Sequence, residues 1–289
     1  MAKLLDGKMA RQARALSLKA EIEKMGAKPT LAIIQVGDRA ESSAYIEAKK
    51  KFGKEIGAIV IHIQCPTESK TSEIQEKIDE LNENPKINGI ILQLPVPPSI
   101  DAYLLVEKID PSKDVDGQTG ESMRRLLRAE RGFIPATPKG IFMLLDFYGI
   151  PVEGKHIVII GRSYLVGKPA GLLGLNRNAT VTICHSKTSN LQEISKSADI
   201  VIAAAGQPGL IDKNFVRTGQ VIIDVGINEK KGGHLEEIAG RRLVGDVNFA
   251  EVEPIVEAIS PVPGGVGPMT VCALFENLVL AATLQQNSK

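Results

Sequence analysis

Short runs of β-branched and apolar residues, several closed by glycine or a proline cluster, alternate with helical segments along most of this chain. In the first half the runs are LAIIQVG (31–37), AIVIHIQ (58–64) and INGIILQLPVPP (87–98). In the second they fall at 156–160, 179–184, 199–204 and 220–225. Strands this apolar must be covered on both faces, and the intervening segments, such as TSEIQEKIDELNEN and 167–176, carry helical spacing. The fold class is therefore α/β, built on parallel sheets. A helix is expected over 4–25, ending near Gly26, and a hairpin or arm over HLEEIAGRRLVGDVNF (234–249). At 289 residues there is chain enough for two cores. The proline-rich FIPATPKG (133–140) reads as a rigid connector between them.

Charge excludes some classes of function. Lys and Arg total 35 against 34 Asp and Glu, so no surplus pulls the whole molecule onto nucleic acid or a membrane surface. Any anion must be met locally. Cys65, Cys184 and Cys272 are odd in number and far apart, as reduced cytoplasmic thiols would be. The four histidines, at 62, 156, 185 and 234, show no metal-ligand spacing, and no metal is expected. MAKLLDGKMARQ breaks its apolar stretch with Asp6 and Lys8, unlike a secretion signal. The apolar run Val271–Leu284, interrupted by Glu276 and Asn277, is expected to fall short of a membrane span.

Open parallel sheets place ligands at the carboxyl ends of their strands. In KHIVIIGRSYLVGKP (155–169) a buried strand stops at Gly161, and a small, basic loop leads into a helix at Gly167. Backbone can approach a phosphate closely there, with helical N–H groups aimed at it. Only two glycines flank the loop, so ordinary βα packing is the competing reading. Glycines at 206, in GQPGLI, and at 226, in DVGINEK, close later strands on the same edge. Together these units suit a compact Rossmann-like sheet. About 20 residues past the first glycine, where an acid would bind the ribose of NAD, stands Cys184-His185-Ser186-Lys187-Thr188. With Arg162 this cationic and hydroxylic set suits a 2′-phosphate, hence NADP, although Lys187 taken alone also reads as a solvated surface charge.

In the first half, Ser42, Tyr45 and Lys49 fall at i, i+3 and i+7 of one helix face. Gln93 ends a strand. PSKDVDG (111–117) reads either as an Asx turn or, with Lys49 as partner, as part of a reacting site. ISPVPGGVGPMT (259–270) packs three prolines and three glycines ahead of the last helix, which fits either close ligand contact or a rigid turn.

Tyr45 and Lys49 separated by three residues, GIILQLP, KDVDG, P-x-TP-x-G, GRSYLVGKP, HSKT, DVGIN and PVPGGVGPMT occur in that order. On these motifs the chain closely resembles the bifunctional methylenetetrahydrofolate dehydrogenase/cyclohydrolase family over nearly its whole length. The resemblance implies two α/β domains with the active-site cleft between them. It assigns 1–138 plus 270–289 to folate and catalysis, and 139–269 to a Rossmann domain for NADP. It implies oxidation of 5,10-methylenetetrahydrofolate to the methenyl compound, then hydrolysis to 10-formyltetrahydrofolate, by a cytoplasmic homodimer acting on tetrahydrofolate derivatives. Matched motif by motif, Lys49 is the catalytic lysine, Tyr45 orients the folate, Gln93 hydrogen-bonds the lysine and Asp116 holds the pterin. Leu94, Pro95, Pro263, Gly264 and Gly265 complete the folate contacts, and Gly161, Arg162, Ser163, Gly167, Ser186, Gly206 and Ile227 those of the cofactor.

The chain departs from the family pattern at Ala136, where cysteine is common, and at Arg39-Ala40, where a proline is common. A third departure is Ser122-Met123-Arg124, in place of Asn-x-Gly, which bears on the loop 118–125. A shikimate-dehydrogenase-like NADP oxidoreductase or a catalytically silent folate or nucleotide binder are the rival readings. The first would not require KDVDG together with PVPGGVGPMT, and Lys49, Tyr45, Gln93 and Asp116 argue against the second. A charge-assisted hydrogen bond contributes ~1.5 to 3 kcal/mol, or about one to two decades in affinity. Arg162→Ala should therefore weaken NADP binding more than NAD binding in parallel titrations, and equal losses would remove Arg162 as the discriminating cation.

Overall fold

The computed structural model describes residues 1–230, 237–238 and 241–287. From the N-terminus run β1 (Lys3–Leu4), α1 (Gly7–Glu23), β2 (Thr30–Val36), α2 (Ala40–Ile56), β3 (Ile59–Cys65), α3 (Thr71–Glu83), β4 (Gly89–Leu92), α4 (Ala102–Glu107), α5 (Gly120–Leu127) and α6 (Ala136–Phe147). There follow β5 (His156–Ile160), α7 (Gly167–Asn176), β6 (Thr180–Cys184), α8 (Leu191–Ser197), β7 (Ile200–Ala203), β8 (Val221–Asp224), β9 (Asn228–Lys230), β10 (Glu237–Ile238), β11 (Arg241–Val244), α9 (Phe249–Val252), β12 (Ala258–Ile259) and α10 (Val266–Asn287). The chain divides into two compact units. One comprises Ala13–Ala136 with Val271–Lys289, the other Met1–Gln12 with Thr137–Thr270.

The first unit is built on the parallel sheet β3-β2-β4. All seven residues of β2 are buried, as a central strand covered on both faces requires. Helix α3 turns Ile74, Ile78 and Leu81 inward at helical spacing, and its Glu73 carboxylate accepts the Lys70 N–H to close the first turn. At the other end of α3, buried Lys113 donates to the carbonyl oxygens of Leu81, Asn82 and Asn84 at 2.9, 2.6 and 2.9 Å. A buried ammonium there satisfies carbonyls that the helix leaves unpaired. The α10 side chains Phe275 and Leu278 are fully buried in this unit, Phe275 edge-on to Phe52 with ring centroids 5.3 Å apart.

The second unit is built on a six-stranded sheet in the order β1-β12-β8-β7-β5-β6, parallel throughout. The chain leaves β5 for β6 on one side and returns to β7 on the other, which is the strand-order reversal of a Rossmann-like sheet. The helix expected from residue 4 is preceded by β1, which pairs with β12, so the first twelve residues belong to this unit. Two-residue strands have no period to read, and this pairing is set by tertiary contact alone. Of the connector expected at 133–140, within which the two units divide at Ala136 and Thr137, residues 136–140 are helical and open α6, with Pro138 in its first turn, where a missing N–H costs nothing. Strands β9, β11 and β10 pair antiparallel, and residues 234–236 and 239–240 of the expected arm lie outside the described residues.

Helix α10 runs for 22 residues, beyond the apolar stretch seen in the sequence, because the helix continues past Leu284 and begins inside the glycine-rich loop. Its length and composition match those of a membrane-crossing helix, yet Cys272, Ala273, Leu274, Leu278, Ala281 and Ala282 are buried against protein. Replacement of the Lys113 cap tests the local energetics. Lys113→Met removes the ammonium from the Leu81 and Asn82 carbonyls, while Asn84 O keeps the Ile87 N–H, and urea denaturation should show a loss of about 1.5 to 3 kcal/mol with an unchanged m-value.

Candidate functional site

In the first unit, three side chains from three elements meet. Lys49, on the third turn of α2, donates from Nζ to Gln93 Oε1 at 2.7 Å. Gln93 is fixed twice more. Its backbone N–H donates to Ile34 O at 2.8 Å, extending the β2–β4 ladder, and its Nε2 donates to Leu94 O at 2.8 Å. The Gln93 oxygen is thus committed to the lysine. Asp116 lies close enough to act on Lys49 through charge, and Gln118 Nε2 donates to Asp116 Oδ2 at 2.5 Å. Burial pushes the Lys49 ammonium below its ordinary value, while the Asp116 charge opposes that shift. Burial likewise pushes the Asp116 carboxyl up, against the fields of Lys49 and the Gln118 hydrogen bond.

The five residues of KDVDG divide their tasks. Lys113 caps α3. Asp114, buried, accepts from the backbone N–H groups of Gln118 and Thr119 at 3.0 and 2.8 Å and from the hydroxyls of Thr119 and Ser122 at 2.8 and 2.6 Å. These contacts hold the turn and leave Asp116 as the acid turned toward Lys49. Gly117 sits at φ 68°, and a side chain there would strike the Ile134–Pro135 backbone. Ser122 falls in the first turn of α5 rather than in a loop over 118–125, and the same network accommodates it: Thr119 caps α5 by accepting the Ser122 N–H, and the Ser122 hydroxyl reaches Asp114.

Of the remaining folate candidates in this unit, Tyr45 is 39% exposed on the α2 face that carries Lys49, Pro95 is exposed and Leu94 is half-buried against the β2–β4 core. Pro263, Gly264 and Gly265 belong to the second unit, where the loop is seated on the start of α1. Gly7 N donates to Gly264 O at 2.8 Å, and a Cβ on Gly7 would lie 1.7 Å from Gly265 O. Gly7 carries no motif signal, and this dependence is visible only in three dimensions.

The cofactor candidates all follow carboxyl ends of adjacent strands. Ile160 of β5 is in register with Cys184 of β6 and Ala203 of β7, and Ala203 with Asp224 of β8. Gly161 has φ 134°, and a Cβ there would lie 2.0 Å from Ala204 O. At Gly167 a Cβ would lie 2.1 Å from Gly161 O. Both glycines are therefore required by backbone apposition. The Ser163 hydroxyl accepts the N–H groups of Val166 and Gly167 at 3.2 and 3.4 Å, shaping the entry to α7. Arg162 and Ser186 are exposed at neighbouring strand ends, the latter in a turn closed by Thr188 N–H donating to His185 O. Gly206 and Ile227 follow β7 and β8. A strand-end cradle of small residues with an exposed arginine fits a dinucleotide phosphate. Among the described residues, no group of three or more His, Cys, Asp or Glu has the disposition to hold a metal ion.

Comparison with known proteins agrees over both units. The model of the tetrahydrofolate dehydrogenase/cyclohydrolase catalytic domain matches residues 5–116, and that of the NAD(P)-binding domain of the same proteins matches 135–286. The bifunctional protein FolD of Thermodesulfovibrio yellowstonii is 45% identical over 292 aligned residues, covering 99% of this chain and 98% of the relative. The crystal structure of the Trypanosoma brucei methylenetetrahydrofolate dehydrogenase-cyclohydrolase, complexed with NADP and inhibitor, superposes with TM-score 0.92 at 32% identity, covering 100% and 99% of the two chains. Shikimate dehydrogenase of Thermus thermophilus shares the fold alone, at TM-score 0.52 and 12% identity over 89% of this chain and 99% of the other. Identity at that level, sustained through both units and both family models, leaves one conclusion: the chain belongs to the tetrahydrofolate dehydrogenase/cyclohydrolase family.

Proposed function

We propose that this protein oxidises 5,10-methylenetetrahydrofolate to the 5,10-methenyl compound with NADP and hydrolyses that product to 10-formyltetrahydrofolate. The observation that carries the reading is the Lys49 amine, held 2.7 Å from Gln93 Oε1 in the field of Asp116, within a chain that matches both family domains. NADP, when bound, supplies the hydride acceptor. Gly161 and Gly167 give its phosphates close access to backbone, Ser163 shapes the turn, and Arg162 with Ser186 selects the 2′-phosphate. Gly206 and Ile227 border it at the ends of β7 and β8. Holding two ring systems in a reactive orientation can contribute ~7 to 11 kcal/mol, and oxidation asks little more of the side chains.

Hydrolysis needs proton transfers. Water adds to the cationic methenyl carbon and loses one proton. The resulting hydroxyl then loses its second proton as the carbonyl forms, and a ring nitrogen takes up a proton as its bond to that carbon breaks, so that one proton is released overall. Lys49 is the residue assigned to those transfers. Its depressed pKa makes the neutral amine available at lower pH than for an exposed lysine, and Gln93 orients it without adding a charge that would pin it as an ammonium. Asp116 holds the pterin and Tyr45 lies along the folate, with Leu94, Pro95, Pro263, Gly264 and Gly265 as further contacts. A homodimer is supported by the edge strand β3, which exposes Ile59 and Ile61 on its outer side. A cytoplasmic setting is supported by the burial of the Cys65, Cys184 and Cys272 thiols.

Enzyme mixed with methylenetetrahydrofolate and NADP should form NADPH, with the methenyl chromophore appearing only transiently; no NADPH would remove the reading. In the same assay Lys49→Met should abolish hydrolysis far more completely than it lowers folate affinity, and equal loss of both would sink the lysine assignment. The pH profile supplies an independent check. Asp116 raises the Lys49 pKa, so its removal lowers it, and the neutral amine then forms at lower pH. The rising limb of the hydrolytic kcat should accordingly move to lower pH in Asp116→Asn, and movement the other way would contradict Lys49 as the base.

A further inference from the structure

Two carboxylates given no role among the site residues lie beneath the carboxyl edge of the six-stranded sheet. Asp224 ends β8 at 4% exposure, and Asp246, just past β11, is fully buried. Asp246 Oδ2 accepts the N–H groups of Ala205 and Gly206 at 2.6 and 2.9 Å, and its Oδ1 accepts Asn228 Nδ2 at 2.8 Å. One carboxylate thus grips the turn after β7 and the segment after β8, on either side of which stand the cofactor candidates Gly206 and Ile227. Asp246 is itself held. Its backbone N–H donates to Asp224 Oδ1 at 3.0 Å, Val247 N–H to Asp224 Oδ2 at 3.0 Å, and Gly226 N–H to Asp224 Oδ1 at 3.0 Å. Asp224 is tied downward in turn, its N–H donating to Ser260 Oγ at 2.8 Å.

The surrounding glycines are shaped to these acids. A Cβ on Gly245 would lie 1.7 Å from Asp224 Oδ2, and one on Gly226 would lie 2.3 Å from Asp246 Oδ1. Burial pushes the Asp224 carboxyl up to about 7, with the Asp246 charge adding to that shift and the three backbone donors opposing it. Two buried carboxyls kept this close are costly for a fold that needs only turn closure, since a neutral acceptor would serve. Each acid is retained where four strand-end segments must be held in mutual register.

We infer that Asp246 is a positioning residue for the NADP site, fixing Gly206 and, through Asn228, Ile227, with Asp224 as its anchor. The inference rests on the proposed NADP-dependent function. It separates the two activities, because hydrolysis is assigned to Lys49 in the other unit and needs no cofactor.

The test compares wild type, Asp246→Ala, Asp246→Asn and Asn228→Ala, with NADP binding followed by calorimetry and both activities assayed. Asp246→Ala should raise the NADP KM and Kd by about tenfold or more, the loss expected from removing charge-assisted acceptors. Its methylenetetrahydrofolate KM and its cyclohydrolase turnover without NADP should stay within about twofold, since no group touching folate changes. Asp246→Asn should recover most of the affinity: its carbonyl can face Ala205 and Gly206, and Asn228 can turn its own oxygen to the new NH2. Asn228→Ala should fall between. Unchanged NADP affinity in Asp246→Ala, or equal loss of both activities, would overturn the positioning role while leaving the function standing. A wild-type protein that hydrolyses methenyltetrahydrofolate but neither binds nor reduces NADP would overturn both.

Discussion

A parallel sheet satisfies its own backbone except where the strands end, and there the emerging N–H and C=O groups need partners if the loops are to lie close to one another. In this protein several of those partners are buried ionisable side chains. Asp246 and Asp224 serve the second unit, Asp114 and Lys113 the first. Lys113, Asp224 and Asp246 meet backbone groups from segments distant in sequence, while Asp114 closes its own turn, and a charged acceptor or donor forms a stronger hydrogen bond than a neutral one. The loops that carry chemistry are therefore tied to the sheets by a few buried ions.

That arrangement explains how neighbouring residues of one motif acquire different tasks. In KDVDG the side chains of Lys113 and Asp114 turn into the protein and are consumed by backbone partners, and Asp116 is left facing Lys49. Gln118 holds Asp116 in turn. A substitution at any one of the first three positions thus acts on Lys49 only through the placement of Asp116. The Ser122 variation belongs to the same structural half of the motif, since its hydroxyl ends on Asp114.

Glycine plays the complementary part. Gly161 and Gly167 allow backbone to touch backbone at the phosphate turn, while Gly226 and Gly245 make room for the acids beneath the later turns. In the first pair the missing side chain lets two backbone segments close on each other; in the second it opens space for a carboxylate. The two uses look identical in the amino-acid sequence, because both follow a β-branched strand.

Much of the architecture was legible without coordinates. Apolar, β-branched runs of strand length separated by helical periods dictate parallel sheets, and Ser42, Tyr45 and Lys49 must share a helix face because the helix repeats every 3.6 residues. The absence of an acid near Ser186 is likewise a local fact. What remained hidden was every feature whose energy comes from distant chain segments. The pairing of β1 with β12, the seat of Gly264 and Gly265 on Gly7, and the hold of Asp246 on Gly206 involve residues with no periodicity and no shared motif. Pro138 misled for the opposite reason, since proline ends a helix but also fits its first turn, and only the preceding chain path decides between them. Local chemistry chose the elements and most of the reacting groups; tertiary burial decided which charges were spent on backbone and which stayed available at the site.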